Sequence, residues 1–529
     1  MQGVIAAGDK QTAVAGQTIL QAGGNAVDAA VAAAFASFIA EIGVVHLGGS
    51  GIAHLYDPQS GRSLVYDFFS NTPGLGNGSS RQLDFNKVTI DFGATTQDFH
   101  LGRASVAVPG NIAGLCQMAA DYGRLPLATL LQPALKLAKN GHAIAPFQAD
   151  TCTLLQPLYT HTAGMRTIFS PNGRMIQAGE RLLVPNLHQT LQNLAHEGAN
   201  YAQTGALGQA LVQDQAQNGG LLTADDLASY QVHKYPSIRL PYRDYEILLP
   251  PPCSTGGVLT AFTLKLLSYF DVQKRPHGSA AHLQLLYEVM VATNRARPMW
   301  EEVSEALPTE KAIGRFLAPL FVQRYVAEVR DALHSHHPSP FIAEPDAPNS
   351  TSHLSVVDGD GLAVSLTTTA GESAGYVVPG TGYIPNNMMG EADLHPSGFH
   401  SRPAGQRIPT MMTPVIALHN GQTRLVLGSG GSIRIRSAIM QVLSNLLDYN
   451  MPLREAVNIA RVHVENGALQ CEAGFDLDAV DQLEAIGYPV NRWSTRSIYF
   501  GGAHTVSRAD NGRLVAAGDN RRGGATAVA

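Results

Sequence analysis

The chain has 529 residues, a formal net charge of −6, 45% hydrophobic and 15% charged residues. That balance reads as a globular, soluble protein rather than a disordered or fibrous one, and its scattered, slightly acidic charge offers no basic surface for nucleic acid. The length admits several average domains or one large interleaved one.

No apolar run reaches the roughly 18 residues that a membrane span needs; residues 29–40 come closest and are rich in alanine. The first residues, MQGVIAAGDKQTAVAG, lack the basic segment and apolar core of a signal peptide. Cys116, Cys152, Cys253 and Cys471 lie far apart without CxxC spacing, which argues against a zinc site and a disulfide framework. The expected setting is therefore cytoplasmic, with no membrane and no metal.

Along the chain, Gly3–Ala7 reads as a short strand and residues 14–40 as helix, interrupted at Gly23-Gly24-Asn25 by a cap and restart. The turn Leu47-Gly48-Gly49-Ser50-Gly51 runs into a strand rather than a helix, so it is a poor phosphate cradle. Residues 151–337 read as structural, with Thr223 as an N-cap and Asp226 three positions on. His334, His336 and His337 cluster, but no other ligand type recurs nearby, and the spacing suits a solvated loop.

Pro338, Pro340, Pro345 and Pro348 then forbid helix and central strand, giving an exposed linker. After it, Ser352–Asp358 and residues 362–369 are rich in β-branched residues around Gly359-Asp360-Gly361, a hairpin pattern. Thr351 opens the first strand and Thr367-Thr368-Thr369 closes the second. A threonine hydroxyl needs an adjacent base, and a free N-terminal amine serves its own side chain. Breaking the bond that joins Ser350 to Thr351 would create that amine. The plain alternative is a strand-forming threonine with no chemistry.

A second hairpin, Val415–His419 with residues 423–427, turns at Asn420-Gly421. It leads through Gly428-Ser429-Gly430-Gly431-Ser432 into a helix at 435–448. Backbone N–H groups of Gly430 and Gly431 could meet a developing oxyanion. From Gly523-Gly524 a loose tail is expected.

Thr351-Ser352-His353-Leu354-Ser355-Val356-Val357-Asp358, with Asp360-Gly361 and Ala363-Val364-Ser365, resembles the small-subunit start of the γ-glutamyltranspeptidase family of N-terminal-nucleophile hydrolases. The likeness extends to Gln21-Ala22-Gly23-Gly24-Asn25-Ala26-Val27-Asp28, to Leu47-Gly48-Gly49-Ser50-Gly51 and to the stretches at 249–257, 380–387 and 407–414, nearly the whole chain. The resemblance implies an α+β fold, a four-layer αββα sandwich in which residues 1–350 and 351–529 interleave as large and small subunits. It also implies that Thr351 cuts the chain after Ser350 and then serves as nucleophile. Thr369 matches the threonine that hydrogen-bonds the nucleophile, and Gly430 and Gly431 match the oxyanion glycines. No metal or organic cofactor is implied. The partners implied are a small amide substrate and the chain's own two fragments as a heterodimer, with a dimer of these left open.

Departures from the family pattern bear on substrate. Phe69 stands where the family has a carboxylate-binding arginine, and Phe cannot replace a bidentate guanidinium. Met388 stands for a glutamine beside the retained Asn387, Thr410 and Met411 replace paired serines, and Glu391 is the acid available for a substrate amine. Arg434, Arg436 and Arg407 are candidates for a substrate carboxylate. Poor γ-glutamyl binding and weak transpeptidation follow. The chain is similar to the oxamate amidohydrolase branch of the family, which acts in purine breakdown, so oxamate converted to oxalate and ammonia is the specific expectation. The alternatives are a γ-glutamyl hydrolase or transferase, and an acylase acting on glutathione-like or glutaryl amides.

Two other nucleophiles fit the residues less well. Gly371-Glu372-Ser373-Ala374-Gly375 fits the G-x-S-x-G elbow of α/β-hydrolases, with Asp393 and His395 in the right order. Pro379, Gly380, Gly382 and Pro385 forbid the helix that Ser373 would need behind it. Ser352-His353 fails as a dyad because neighbouring strand residues face opposite ways. A non-catalytic relative would have little reason to keep Thr351, Thr369 and the glycine pair together.

Overall fold

In the computed structural model, residues 3–76, 82–91, 96–342, 350–395, 397–509 and 511–529 are described. The strands that organise them are β1 (Gly3–Ala7), β2 (Ser50–Asp57), β3 (Arg62–Phe68), β4 (His233–Tyr235), β5 (Ile238–Tyr242), β6 (Tyr245–Leu249), β7 (Ser352–Asp358), β8 (Ala363–Thr369), β9 (Val415–His419), β10 (Gln422–Leu427), β11 (Thr505–Arg508), β12 (Leu514–Ala517) and β13 (Ala525–Val528). Seven form one antiparallel sheet in the order β13-β1-β7-β8-β2-β3-β4, and six form a second in the order β12-β11-β10-β9-β6-β5.

The two sheets stack through a small apolar core. Val4, Ala6, Tyr56, Val357 and Ala363 of the first meet Leu248, Ile416, Leu418, Val426 and Val506 of the second. Because β7 and β8 are buried on both faces, they read as nearly continuous apolar and β-branched runs. Leu354, Val356, Val364 and Leu366 point the other way, into the core shared with the helices.

Helices α1 (Lys10–Gln21) and α2 (Ala26–Ala40) cover the first sheet. Every residue of α2 is buried, and its alanines let it lie close to β7 and β8. Asn25 caps α2 in a reciprocal box with Asp28. The Ala26 N–H donates to Asp358 at 3.0 Å, which ties the far end of β7 to this helix start. On the outer face of the second sheet lie α3 (Thr255–Leu267), α4 (Ala280–Ala306) and α5 (Arg434–Leu447). The result is the four-layer αββα sandwich. Residues 1–350 and 351–529 both contribute strands to each sheet.

Both hairpins form where the residues imply. Asn420 (φ 52°) and Gly421 (φ 72°) make the left-handed turn between β9 and β10. Pro338 and Pro340 lie in coil, while Pro345 and Pro348 fall outside the described residues. The expected loose tail is corrected: β13 pairs with β1, and the Ala529 N–H donates to the Gly3 carbonyl at 3.0 Å. A strand of four residues carries little periodic signal, but the open edge of β1 supplies the partner groups that hold it. Among the described residues no helix is long and apolar enough to cross a membrane.

Ahead of that last strand sits a buried ionic network. Asp519 lies 2.7 Å from Arg461 and 3.2 Å from Arg521, and Arg521 also grips Glu472, with every side chain at most 1% exposed. The two guanidiniums hold the Asp519 carboxyl well below its usual range against the opposing effect of burial. Asp519→Ala would leave two buried cations short of a partner. It should destabilise the fold by about 3–5 kcal/mol in chemical denaturation, whereas a surface change such as Asp271→Ala should be close to neutral.

Candidate active site

Pairing of β7 with β8 sets Ser352 opposite Thr368, so the junction at Ser350 and Thr351 lies against the end of β8. There the Thr369 hydroxyl donates to the Ser350 carbonyl at 2.6 Å and accepts from the Gly371 N–H at 3.0 Å. The Ser350 N–H donates to Glu372 Oε1 at 2.7 Å. Both backbone polar groups of the residue before Thr351 are thus gripped, and Thr351 itself is 3% exposed.

The loop between β10 and α5 closes the other side. A Cβ on Gly430 would stand 2.2 Å from the Thr351 carbonyl oxygen, so only glycine lets this backbone pass. Gly431 (φ 118°) and Ser432 (φ 49°) then turn the chain into α5. Arg522 Nη1 donates to the Thr351 carbonyl at 3.3 Å and Nη2 to the Ile498 carbonyl at 3.2 Å. Burial pulls the Arg522 guanidinium down to about 10.

Thr351 and Thr369 open onto a cavity of 570 Å³, which Phe69, Met388, Glu391, Thr410 and Met411 also line. Five of the positions singled out for substrate therefore share one cavity with the nucleophile candidate. Asn387 does not line it. Its side-chain oxygen accepts from the Glu372 N–H at 2.7 Å and the Ser373 N–H at 3.2 Å, bracing the loop after β8.

The three candidate arginines are all engaged elsewhere. Arg434 lies 3.5 Å from Glu465 and over the Tyr499 ring at 4.6 Å. Arg407 pairs with Asp67 at 3.3 Å and bonds the Phe69 carbonyl, while Arg436 donates to Asn294 at 3.2 Å. The cations that do line the cavity are Arg297 and Arg402. Arg297 bonds Glu301 at 2.8 Å, and the Arg402 Nε is buried without a protein hydrogen-bond partner.

Arg297, Trp300 and Glu301 belong to α4, inside the region read as structural, so that reading is corrected. The one local cue was Pro298 within the helix. Glu372 and Arg522 were missed as well. Glu372 sits inside the G-x-S-x-G stretch, and Arg522 immediately precedes the supposed tail.

The rejected nucleophiles fail structurally. No helix follows Ser373, whose hydroxyl accepts from the Gly375 N–H, and His395 Nε2 bonds the Met388 carbonyl at 2.9 Å. Ser352 Oγ donates to Glu41 at 2.5 Å, while the His353 ring bonds Thr367 and Ser355 at 2.9 Å. Burial pushes the Glu41 carboxyl up to about 7 and the His353 ring well below its usual value. Among the described residues no group of three or more His, Cys, Asp or Glu side chains is placed to hold a metal.

Residues 12–529 match the family model described as Gamma-glutamyltranspeptidase. The chain belongs to the gamma-glutamyltranspeptidase family. It is an N-terminal-nucleophile amidohydrolase acting on amide C–N bonds. It is 33% identical to the Acylase ACY 1 proenzyme of Pseudomonas sp. strain SE83, over 98% of this chain and 91% of that protein. It is 29% identical to the Glutathione hydrolase proenzyme of Escherichia coli strain K12, over 98% and 90%. Its fold matches the crystal structure of cephalosporin acylase from Bacillus halodurans with a TM-score of 0.82, at 22% identity over 99% of this chain and 95% of that one.

Within this family site, the contact at Gly430 is open to test. Gly430→Ala must displace either the loop or Thr351, and a misplacement near 1 Å at reacting atoms costs about 100-fold in rate. Amide hydrolysis by this variant should fall by at least about that factor at normal protein yield.

Proposed function

We propose that the chain cuts itself before Thr351 and then hydrolyses a carboxylate-bearing acyl amide larger than oxamate. The observation that carries this reading is Thr351 at the head of a central strand, facing the 570 Å³ cavity with Thr369 bonded to the carbonyl before it. In the first step the Thr351 Oγ forms a bond to the Ser350 carbonyl carbon and the C–N bond to Thr351 breaks. The hydroxyl proton ends on the released α-amine. Water then hydrolyses the ester, leaving a Ser350 carboxylate and a free Thr351 hydroxyl.

The new amine serves as base for that hydroxyl in each later turnover. Thr351 Oγ attacks the substrate carbonyl, N–H groups at Gly430 and Gly431 stabilise the oxyanion, the amine leaves with the proton, and water releases the acid. Residues 1–350 and 351–529 stay together as a heterodimer, in keeping with the proenzyme names of the two relatives. No cofactor takes part in this scheme.

Substrate class follows from the cavity walls. Phe69, Met388 and Met411 make one side apolar, and Arg402 on the lining supplies a guanidinium for a carboxylate. The volume suits a ligand of drug-like size, as expected for an acylase, the activity named in the ACY 1 relative. Oxamate would use the same arginine but fill little of the space. γ-Glutamyl donors lack the arginine that Phe69 replaces.

Purified protein should run as pieces of 350 and 179 residues, and Thr351→Ala should stay whole and inactive. In a panel of glutaryl amides, oxamate and glutathione, the glutaryl amides should turn over fastest. Arg402→Gln should raise KM about tenfold or more while changing kcat little, the sign of lost ground-state binding. Ammonia release from oxamate outpacing every acyl amide would overturn the substrate assignment and leave the nucleophile untouched.

A further inference from the structure

Glu372 takes no part in the steps above, yet it is the side chain that holds the residue to be released. Its Oε1 accepts the Ser350 N–H at 2.7 Å, and Oε2 has no hydrogen-bond partner in the protein. The loop that carries it is braced from behind. Asn387 accepts from the Glu372 N–H, and the next strand neighbour, Thr369, holds the Ser350 carbonyl. Ser350 is therefore held by an acceptor at its N–H and a donor at its C=O, one in the peptide unit on each side of its Cα.

We propose that Glu372 is a positioning residue for self-cleavage: by clamping the Ser350 N–H it fixes the orientation of the Ser350 carbonyl toward the Thr351 hydroxyl. This rests on the self-cleavage reading of the preceding section and names the group that sets its geometry. A carbonyl free to rotate about the Ser350 backbone would present its face to Oγ only part of the time. Gripping N–H and C=O together removes that freedom before the reaction begins. The bond made and the bond broken are those given above, Oγ to the Ser350 carbon and that carbon to the Thr351 nitrogen. Glu372 exchanges no proton in the step.

Burial is consistent with such a task. It pushes the Glu372 carboxyl up to about 7, against the opposing effects of the Ser350 side chain, the Ser350 N–H and the Arg522 guanidinium. A buried carboxyl with one oxygen unmatched is costly to keep, and Ser350 is the polar contact that offsets part of that cost. Once the bond is cut, Ser350 becomes a chain end and the clamp has no further work.

The test follows self-cleavage over time by intact mass after a short induction, in wild type, Glu372→Gln, Glu372→Met, Ser350→Pro and the Met/Pro double variant. Gln keeps an acceptor oxygen and should cleave close to the wild-type rate. Met keeps the length without the acceptor, and Pro removes both the N–H and the hydroxyl that Ser350 turns to Glu372; each should slow cleavage about tenfold or more. Because both remove the same contacts, the double variant should be no slower than the worse single. Melting of Thr351→Ala with and without Glu372→Met separates geometry from folding, and the two should melt together. Glu372→Met cleaving as fast as wild type, slowing that multiplies in the double variant, or slowing explained by a matching loss of melting temperature overturns the inference. A wild-type chain that stays whole overturns the self-cleavage reading itself.

Discussion

The proposed chemistry depends on the register in which Ser352–Asp358 pairs with Ala363–Thr369. Strand residues alternate faces, so a slip of one position would turn every side chain to the opposite layer. With Ser352 opposite Thr368, the Thr369 hydroxyl reaches the Ser350 carbonyl and the following loop brings Glu372 to the Ser350 N–H. The register is held from both sides, because β7 lies between β1 and β8 in the middle of the sheet. Its alternate faces fill two different cores, one against the helices and one against the second sheet. Packing thus decides where the hydroxyl of Thr351, the proposed nucleophile, stands.

Long-range elements complete the site. Strand β7 comes late in the chain but sits beside β1, while the wall opposite is built from α4 and from the loop before α5. The glycine at 430 allows that loop to touch the Thr351 backbone. Arg522 reaches the Thr351 carbonyl because Asp519, Arg521, Arg461 and Glu472 anchor the segment that carries it. A buried ionic cluster contributes little net stability when compared with apolar packing. Here it fixes the path of one short stretch, and that stretch ends on Thr351, the proposed nucleophile.

Much of this was legible from residue types alone. The proline run followed by β-branched strands marked the junction, Asn420-Gly421 marked the second turn, and the Thr351 stretch carried the family resemblance. The likeness singles out Phe69, Met388, Glu391, Thr410 and Met411 as substrate positions, and all five line the cavity. What local pattern could not give was orientation. Arg434 and Arg407 lie near the site in sequence, but Glu465, Tyr499 and Asp67 turn them away, and those partners are distant along the chain. Asn387 proved to brace a loop for the same reason. Arg297 and Arg402 became visible only when α4 and the loop after Leu394 met across the cavity. The four residues of β13 were too few to show a period, and only the free edge of β1 explains them.

The most direct measurement of the central claim is covalent. An acylating electrophile of the substrate class, allowed to inactivate the purified enzyme, should leave one adduct per active site. Peptide mass spectrometry should find that adduct on the peptide beginning with Thr351, with the mass on its side chain. Full inactivation with the adduct on Ser373, Ser432 or any residue other than Thr351 would contradict the account.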